Sequence, residues 1–97
     1  PYIYLPLLAE QLKQHSHVVL GAQNLSQFSE GAYTGEISGK MIADAGIQSV
    51  LIGHSERRNL FAESDEVIAE KWQRALDSNL QPLLCVGETL AERKSGR

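Results

Sequence analysis

Three short apolar runs recur along this chain at nearly equal intervals. They begin near His17 (His-Val-Val-Leu-Gly-Ala), Ser49 (Ser-Val-Leu-Ile-Gly) and Pro82 (Pro-Leu-Leu-Cys-Val), 32 and 33 residues apart. Each suits a buried strand, and the proline is tolerated because it stands at a strand start. The stretches between them carry helical signals. That rhythm predicts a parallel α/β architecture. An eight-stranded (β/α)8 barrel of roughly 250 residues divides into eight units of about this size, and a doubly wound open sheet repeats in the same way. A solenoid shares the range of period, but the three units have no matching consensus residues. Spacing alone leaves barrel and open sheet both standing.

The helical signals are local and specific. Leu5, Leu8 and Leu12 recur at helical spacing, with Pro6 in a first turn where its missing N–H costs nothing. Ser38 caps a brief helix through Lys40, Met41, Ile42 and Ala45, and Gly46 stops it. Ser64 precedes Asp65 and Glu66, acidic residues that favour a first helical turn. Ile68, Trp72, Ala75 and Leu76 then give that helix one apolar face, which puts Trp72 in the core, and Asn79 ends it. Thr89 and Glu92 have the spacing of a capping box for one more helix, with Lys94 and Arg97 at its solvated end. Gln23 to Glu36 is polar, glycine-bearing and aperiodic, and reads as a long loop.

Composition narrows the function classes. The 97 residues carry 42% hydrophobic and 22% charged side chains, ordinary values for a soluble globular domain. A formal net charge of −3 offers no basic footprint for nucleic acid. The lone cysteine, Cys85, can form no internal disulfide and no metal cluster, which favours a reducing compartment. Neither a run of about 20 apolar residues nor a signal-peptide pattern is present, so a cytoplasmic protein free of the membrane is expected. The chain begins at Pro1 without an initiator methionine, a hint of sequence upstream.

Candidate chemistry gathers after the apolar runs, where parallel α/β folds collect catalytic side chains. Ile52-Gly-His-Ser-Glu-Arg-Arg58 passes from a strand into a helix start. Gly53 permits close backbone approach, and His54 would project from the strand end, although a histidine in a loop, taken alone, is more often structural or solvated. Backbone N–H groups at the helix start disfavour added positive charge on its ring. Glu56 can orient a cation; read blandly, Ser55-Glu-Arg-Arg is a solvated helix start. Gly21-Ala-Gln-Asn24 reads first as a strand-ending turn. Gly31-Ala-Tyr-Thr-Gly-Glu36 reads as a loop whose glycines allow positive φ, with Tyr33 as exposed apolar surface at its tip. Cys85 is expected to be a small buried hydrophobe. Glu88 has the type of a general base, though a helix-start acid is the commoner explanation.

In order, Gly21-Ala-Gln-Asn, Gly31-Ala-Tyr-Thr-Gly-Glu, Ile52-Gly-His-Ser-Glu-Arg-Arg, Glu63-Ser-Asp and Leu84-Cys-Val-Gly-Glu resemble triosephosphate isomerase across essentially the whole chain. The resemblance implies an incomplete segment (1–97) of a single TIM-barrel domain, covering about its third to fifth strands and their helices. It implies interconversion of dihydroxyacetone phosphate and D-glyceraldehyde 3-phosphate through an enediolate, with no cofactor and no metal. His54 matches the family's electrophilic histidine, Glu56 the acid beside its catalytic lysine, and Ser55 a supporting hydroxyl. Tyr33, Thr34, Gly35 and Glu36 match the loop that each subunit of a homodimer inserts beside its partner's active site. The family's base glutamate, early asparagine and lysine, lid and phosphate loops have no counterpart here, and Glu88 does not stand in the base's motif. The alternative is a non-catalytic fragment or interaction module that docks through Gly31–Glu36.

These 97 residues alone are expected to be inactive, because positioning and electrostatic preorganisation need the base and the phosphate grip. A coupled assay on the purified segment checks this, with host isomerase excluded; turnover above buffer contradicts it.

Overall fold

The computed structural model describes residues 1–15 and 17–87. Glu88 and the Thr89–Glu92 capping box, with Lys94 and Arg97, lie outside the described residues. A 3-10 turn, Tyr2–Tyr4, leads into α1 (Leu5–Gln11), followed by β1 (Gly21–Ala22), α2 (Gly39–Asp44) and β2 (Ser49–Ile52). Then come α3 (Ser55–Leu60), α4 (Asp65–Asp77) and β3 (Gln81–Leu84). The strands form one parallel sheet in the order β1-β2-β3. Gly21 stands opposite Ser49, and Ser49 to Ile52 stand opposite Gln81 to Leu84 in unbroken register. Each parallel step is bridged by helix, as the crossover of a parallel pair requires.

The helix limits follow from residues that satisfy their ends. The Ser38 hydroxyl accepts from the Met41 N–H at 3.2 Å, and the Ser64 hydroxyl from the Val67 N–H at 3.3 Å. Pro6 occupies the first turn of α1. At the far ends Gly46 and Asn79 take positive φ, 84° and 58°, just past the last helical residues. Glycine enters that region freely and asparagine more easily than most, so the chain turns there without stretching its hydrogen bonds.

Beneath the sheet Leu25, Ile42, Val50, Ile52, Ile68 and Ala75 are buried, with Leu5, Ala22, Ile47 and Leu80 completing the core. β2, the middle strand, is its spine: Val50 and Ile52 are almost fully enclosed. α4 packs across β2 and β3 and touches α2. That last approach is close, since a Cβ on Gly39 would stand 2.7 Å from the Ser78 hydroxyl and 3.1 Å from the Arg74 carbonyl.

Four expectations need correction. The first strand shrinks to Gly21–Ala22, and Val18 and Val19 are exposed. A turn captures the backbone before it: His15 N–H donates to Leu12 O and Val18 N–H to His15 O, each at 2.9 Å, so no ladder reaches back to His17. Trp72 is not core but 37% exposed, and Leu76 is exposed too. The buried stripe of α4 is Ile68, Lys71 and Ala75, a helical repeat rotated off Trp72 because Lys71 has an ionic partner inside. β3 is largely exposed, Leu83 and Leu84 at 46% each, because among the described residues nothing pairs with its outer edge. For the same reason Cys85 is half-buried, not enclosed.

Candidate functional site

His54 lies where β2 gives way to α3, and the backbone there explains its placing. Gly53 takes φ +73°, a left-handed conformation natural to glycine, and swings the chain out of the strand. His54 then acts as N-cap of α3 with φ −55° and ψ 142°. Its side chain does the capping: the Glu56 N–H donates to Nδ1 at 3.1 Å. A nitrogen that accepts must offer its lone pair, so the neutral ring carries its proton on Nε2, the end left free to act.

The imidazole faces a cleft of about 390 Å³ whose walls come from four parts of the chain. Pro1 and Tyr2 form one side, Gln23 and Asn24 after β1 a second, and Glu56, Arg57 and Phe61 of α3 and its end a third, with Leu51 at the base. His54 and Glu56 are thus brought together. Ser55 is exposed at the first turn of α3 and is not part of the cleft wall. Tyr33, Thr34, Gly35 and Glu36 stand apart at the exposed tip of the loop after β1. Glu36 nevertheless acts on the cleft electrostatically. Burial, reinforced by the Glu36 and Glu63 charges against that of Arg57, pushes the Tyr2 phenol up to about 12. Tyr2 therefore remains a neutral hydrogen-bonding group at physiological pH.

The loop is ordered from its base. Leu25 and Ser26 are buried, and the Ser26 N–H donates to the Ile37 carbonyl at 2.8 Å, closing the loop like a short ladder. Gln27 donates to Glu70 on α4 at 2.9 Å. At the tip the Tyr33 ring stacks on Phe28, centroids 3.9 Å apart and planes within 5°. Tyr33 is 43% exposed, so one ring face is committed within the chain and the rest meets solvent. Gly31 and Gly35 both take positive φ, as their sequence position led one to expect.

Behind the cleft sits an ion cluster that joins three of the sequence blocks, through Asn24, Arg57 and Glu63, to Lys71, which lies in none of them. Glu63 Oε2 accepts from Lys71 Nζ at 2.6 Å and from Arg57 Nε, and Lys71 also donates to Asn24 Oδ1 at 2.8 Å. The Glu63 and Lys71 side chains are each only 5% exposed. Arg57 also lays its guanidinium over the Phe61 ring, 4.4 Å from its centroid. Two cleft walls, Asn24 and Arg57, are therefore fixed through one carboxylate. The clue in the sequence is Lys71 itself: a cation three residues from Ile68 and four from Ala75 lies on the apolar stripe and needs a buried partner.

Burial alone would raise the Glu63 carboxyl above its ordinary value of 4.5, but hydrogen bonds and charge from Lys71 and Arg57 outweigh it and hold the group lower. Among the described residues no group of three or more potential ligands is placed to hold a metal ion.

The family model for triosephosphate isomerase matches residues 1–97. The chain is 56% identical over 97 residues to triosephosphate isomerase of Hahella chejuensis, covering 100% of this chain and 39% of that protein. It is 50% identical over 95 residues to the protein of that name from Nitrosomonas europaea, covering 98% of this chain and 37% of the relative. With Methylococcus capsulatus triosephosphate isomerase the identity is 46% over 97 residues, covering 100% and 38%. The chain thus spans under two fifths of the length of these curated relatives.

Because the folded-state value of Glu63 lies below its unfolded one, its contribution to stability is complete above about pH 4.5 and is lost as pH falls through the folded value. Glu63→Gln in a full-length chain carrying this segment is expected to cost roughly 3–5 kcal/mol at neutral pH by stranding Lys71. The gap from wild type should narrow as pH drops below 4.5. Urea unfolding across that range measures both; a gap that does not change with pH contradicts the assignment.

Proposed function

The chain belongs to the triosephosphate isomerase family, and from that premise we propose that it is a segment of an enzyme interconverting dihydroxyacetone phosphate and D-glyceraldehyde 3-phosphate. Its three strands correspond, in this reading, to about the third to fifth of a (β/α)8 barrel. The reaction belongs to glycolysis and gluconeogenesis, and the enzyme works in the cytoplasm. No helix among the described residues is long and apolar enough to cross a membrane.

The observation that carries the proposal is the imidazole of His54. It stands at the C-terminal end of a parallel strand, faces a cleft, and has Nδ1 engaged by the Glu56 N–H. Nε2–H is then the donor that can meet a substrate carbonyl. As a glutamate base outside these residues removes the carbon-bound proton, negative charge grows on the substrate oxygen. A hydrogen bond from Nε2 strengthens with that charge and so favours the transition state over the ground state. The same nitrogen can move a proton between the two enediolate oxygens. The scheme is the family's own, carried here by resemblance. Glu56, exposed on the cleft wall and in no ion pair among the described residues, serves to hold a catalytic cation supplied from elsewhere. Ser55 is a supporting hydroxyl beside it.

We read the loop Tyr33, Thr34, Gly35 and Glu36 as the contact of a homodimer. Its base is closed by the Ser26–Ile37 hydrogen bond and Tyr33 already stacks on Phe28, so ordering it on binding costs little. Inserted beside a partner's His54, Thr34 supplies a hydroxyl, and Tyr33 buries the ring area still facing water.

In a full-length chain carrying this segment, His54→Gln should lower kcat by more than roughly tenfold with only a modest change in KM, because the lost interaction forms with transition-state charge. Steady-state kinetics with wild-type kcat would remove His54 from the mechanism. Thr34→Arg should convert the dimer to monomer and abolish activity together, since a C2 contact places the new cation at both ends of the interface and strands it there. Sedimentation equilibrium decides this; a wild type monomeric at micromolar concentration, or a fully active dimeric variant, defeats the dimer.

A further inference from the structure

We propose that Arg58 is a positioning residue for His54: its guanidinium clasps the backbone at the ends of β2 and β3 and fixes the peptide from which the imidazole springs. The inference rests on the role given to His54 above. Arg58 Nε donates to the Gly53 carbonyl at 2.7 Å, and Nη2 donates to the Cys85 carbonyl at 3.2 Å. Its third contact, Nη1 to Asp65 at 3.4 Å, meets a carboxylate that is almost wholly exposed and contributes little.

The Gly53 carbonyl belongs to the peptide joining Gly53 to His54, so its direction sets the plane on which the His54 Cα is mounted. Nothing in the sheet holds it. The last ladder bond described between these strands runs from the Cys85 N–H to the Ile52 carbonyl at 2.9 Å, and the Gly53 carbonyl lies one residue past it. Gly53 itself offers no restraint, because a glycine at φ +73° has neighbouring conformations open that any side chain would close. An external donor must therefore define this peptide. Arg58 supplies it from five residues beyond Gly53, on the helix that His54 caps. The guanidinium packs tightly there: a Cβ on Gly53 would stand 2.9 Å from Nη2.

The geometry uses what is particular to arginine. Two N–H groups of one rigid plane reach two carbonyls on adjacent strands, a fork that a lysine ammonium on a flexible stem does not reproduce. Arg58 is not part of the cleft wall, whereas Arg57 beside it is. Arg58 therefore acts on substrate only through His54. With the ring held at Nδ1 by Glu56 and its backbone held by Arg58, Nε2 has a single direction. A reacting atom misplaced by even an ångström costs catalysis heavily while leaving binding by other groups intact.

The test is steady-state kinetics and thermal unfolding of a full-length chain carrying this segment, as wild type, Arg58→Gln and Arg58→Lys. Arg58→Gln should stay folded and lose at least about tenfold in kcat while KM changes by less than about threefold. Arg58→Lys, which keeps the charge and can keep one carbonyl, should recover part of the loss. A folded Arg58→Gln enzyme with wild-type kcat overturns the proposal, as does a loss of kcat/KM carried by KM alone. If both variants unfold, Arg58 is a brace of the fold and the positioning role is overturned. A wild type without triose phosphate turnover removes the isomerase reading and this inference with it; an active wild type beside an unaffected variant removes only this inference.

Discussion

The Glu63 side chain is only 5% exposed, and a carboxylate so placed keeps its charge only if cations come to it. Two do, and each arrives on a different helix: Arg57 from α3 and Lys71 from α4. Lys71 spends a further hydrogen bond on Asn24, just beyond β1. The turn after the first strand, the helix after the second and the helix before the third are thereby referred to one point. Ion clusters of this kind add little net stability against an apolar replacement, since desolvation offsets most of the attraction. What they add is direction. Apolar packing of Ile42, Val50 and Ile68 would tolerate small slips of the helices over the sheet, whereas a hydrogen bond tolerates little error in distance or angle.

That division explains how much of the molecule was legible in its sequence. Helix ends at Ser38, Ser64, Gly46 and Asn79 were readable because a cap is a contract between a residue and neighbours three or four places away. β2 was readable because a central strand is apolar on both faces. The first strand is shorter than its apolar run because β-propensity at Val18 and Val19 carries no information about whether a partner lies alongside. There the local turn at His15 won. An apolar stripe can be drawn through Trp72, but the ionic need of Lys71 rotates α4 toward Glu63 and leaves the indole at the rim.

The site divides along the same line. His54 stands out as a candidate because glycine, histidine and a helix start fall together where a strand ends. Its capping bond to the Glu56 N–H is a two-residue affair and follows from that local pattern. The Lys71–Asn24 bond spans 47 residues, and no local pattern announces it. Gln23-Asn24 looked like an ordinary turn, and it is one; the turn also happens to be held by a buried lysine and to wall the cleft.

One apolar surface remains to be accounted for. Leu83, Leu84 and Val86 are exposed on and just after β3; neighbouring strand residues point to opposite faces, and the register sets Leu83 beside the half-buried Leu51 and Leu84 beside the buried Ile52. Solvated leucines in this number do not suit a free strand, whose bare edge also invites pairing with other chains. They suit a strand with a neighbour. In a closed barrel every strand has two, and the inward face is filled by side chains from alternate strands. The relatives, of whose length this chain spans 37–39%, have more than enough additional sequence for such strands. Under the barrel reading proposed above, the exposed strand and the sparsely walled cleft would have one cause, for the same added strands would cover Leu83 from the side and bring their C-terminal loops over His54 from above.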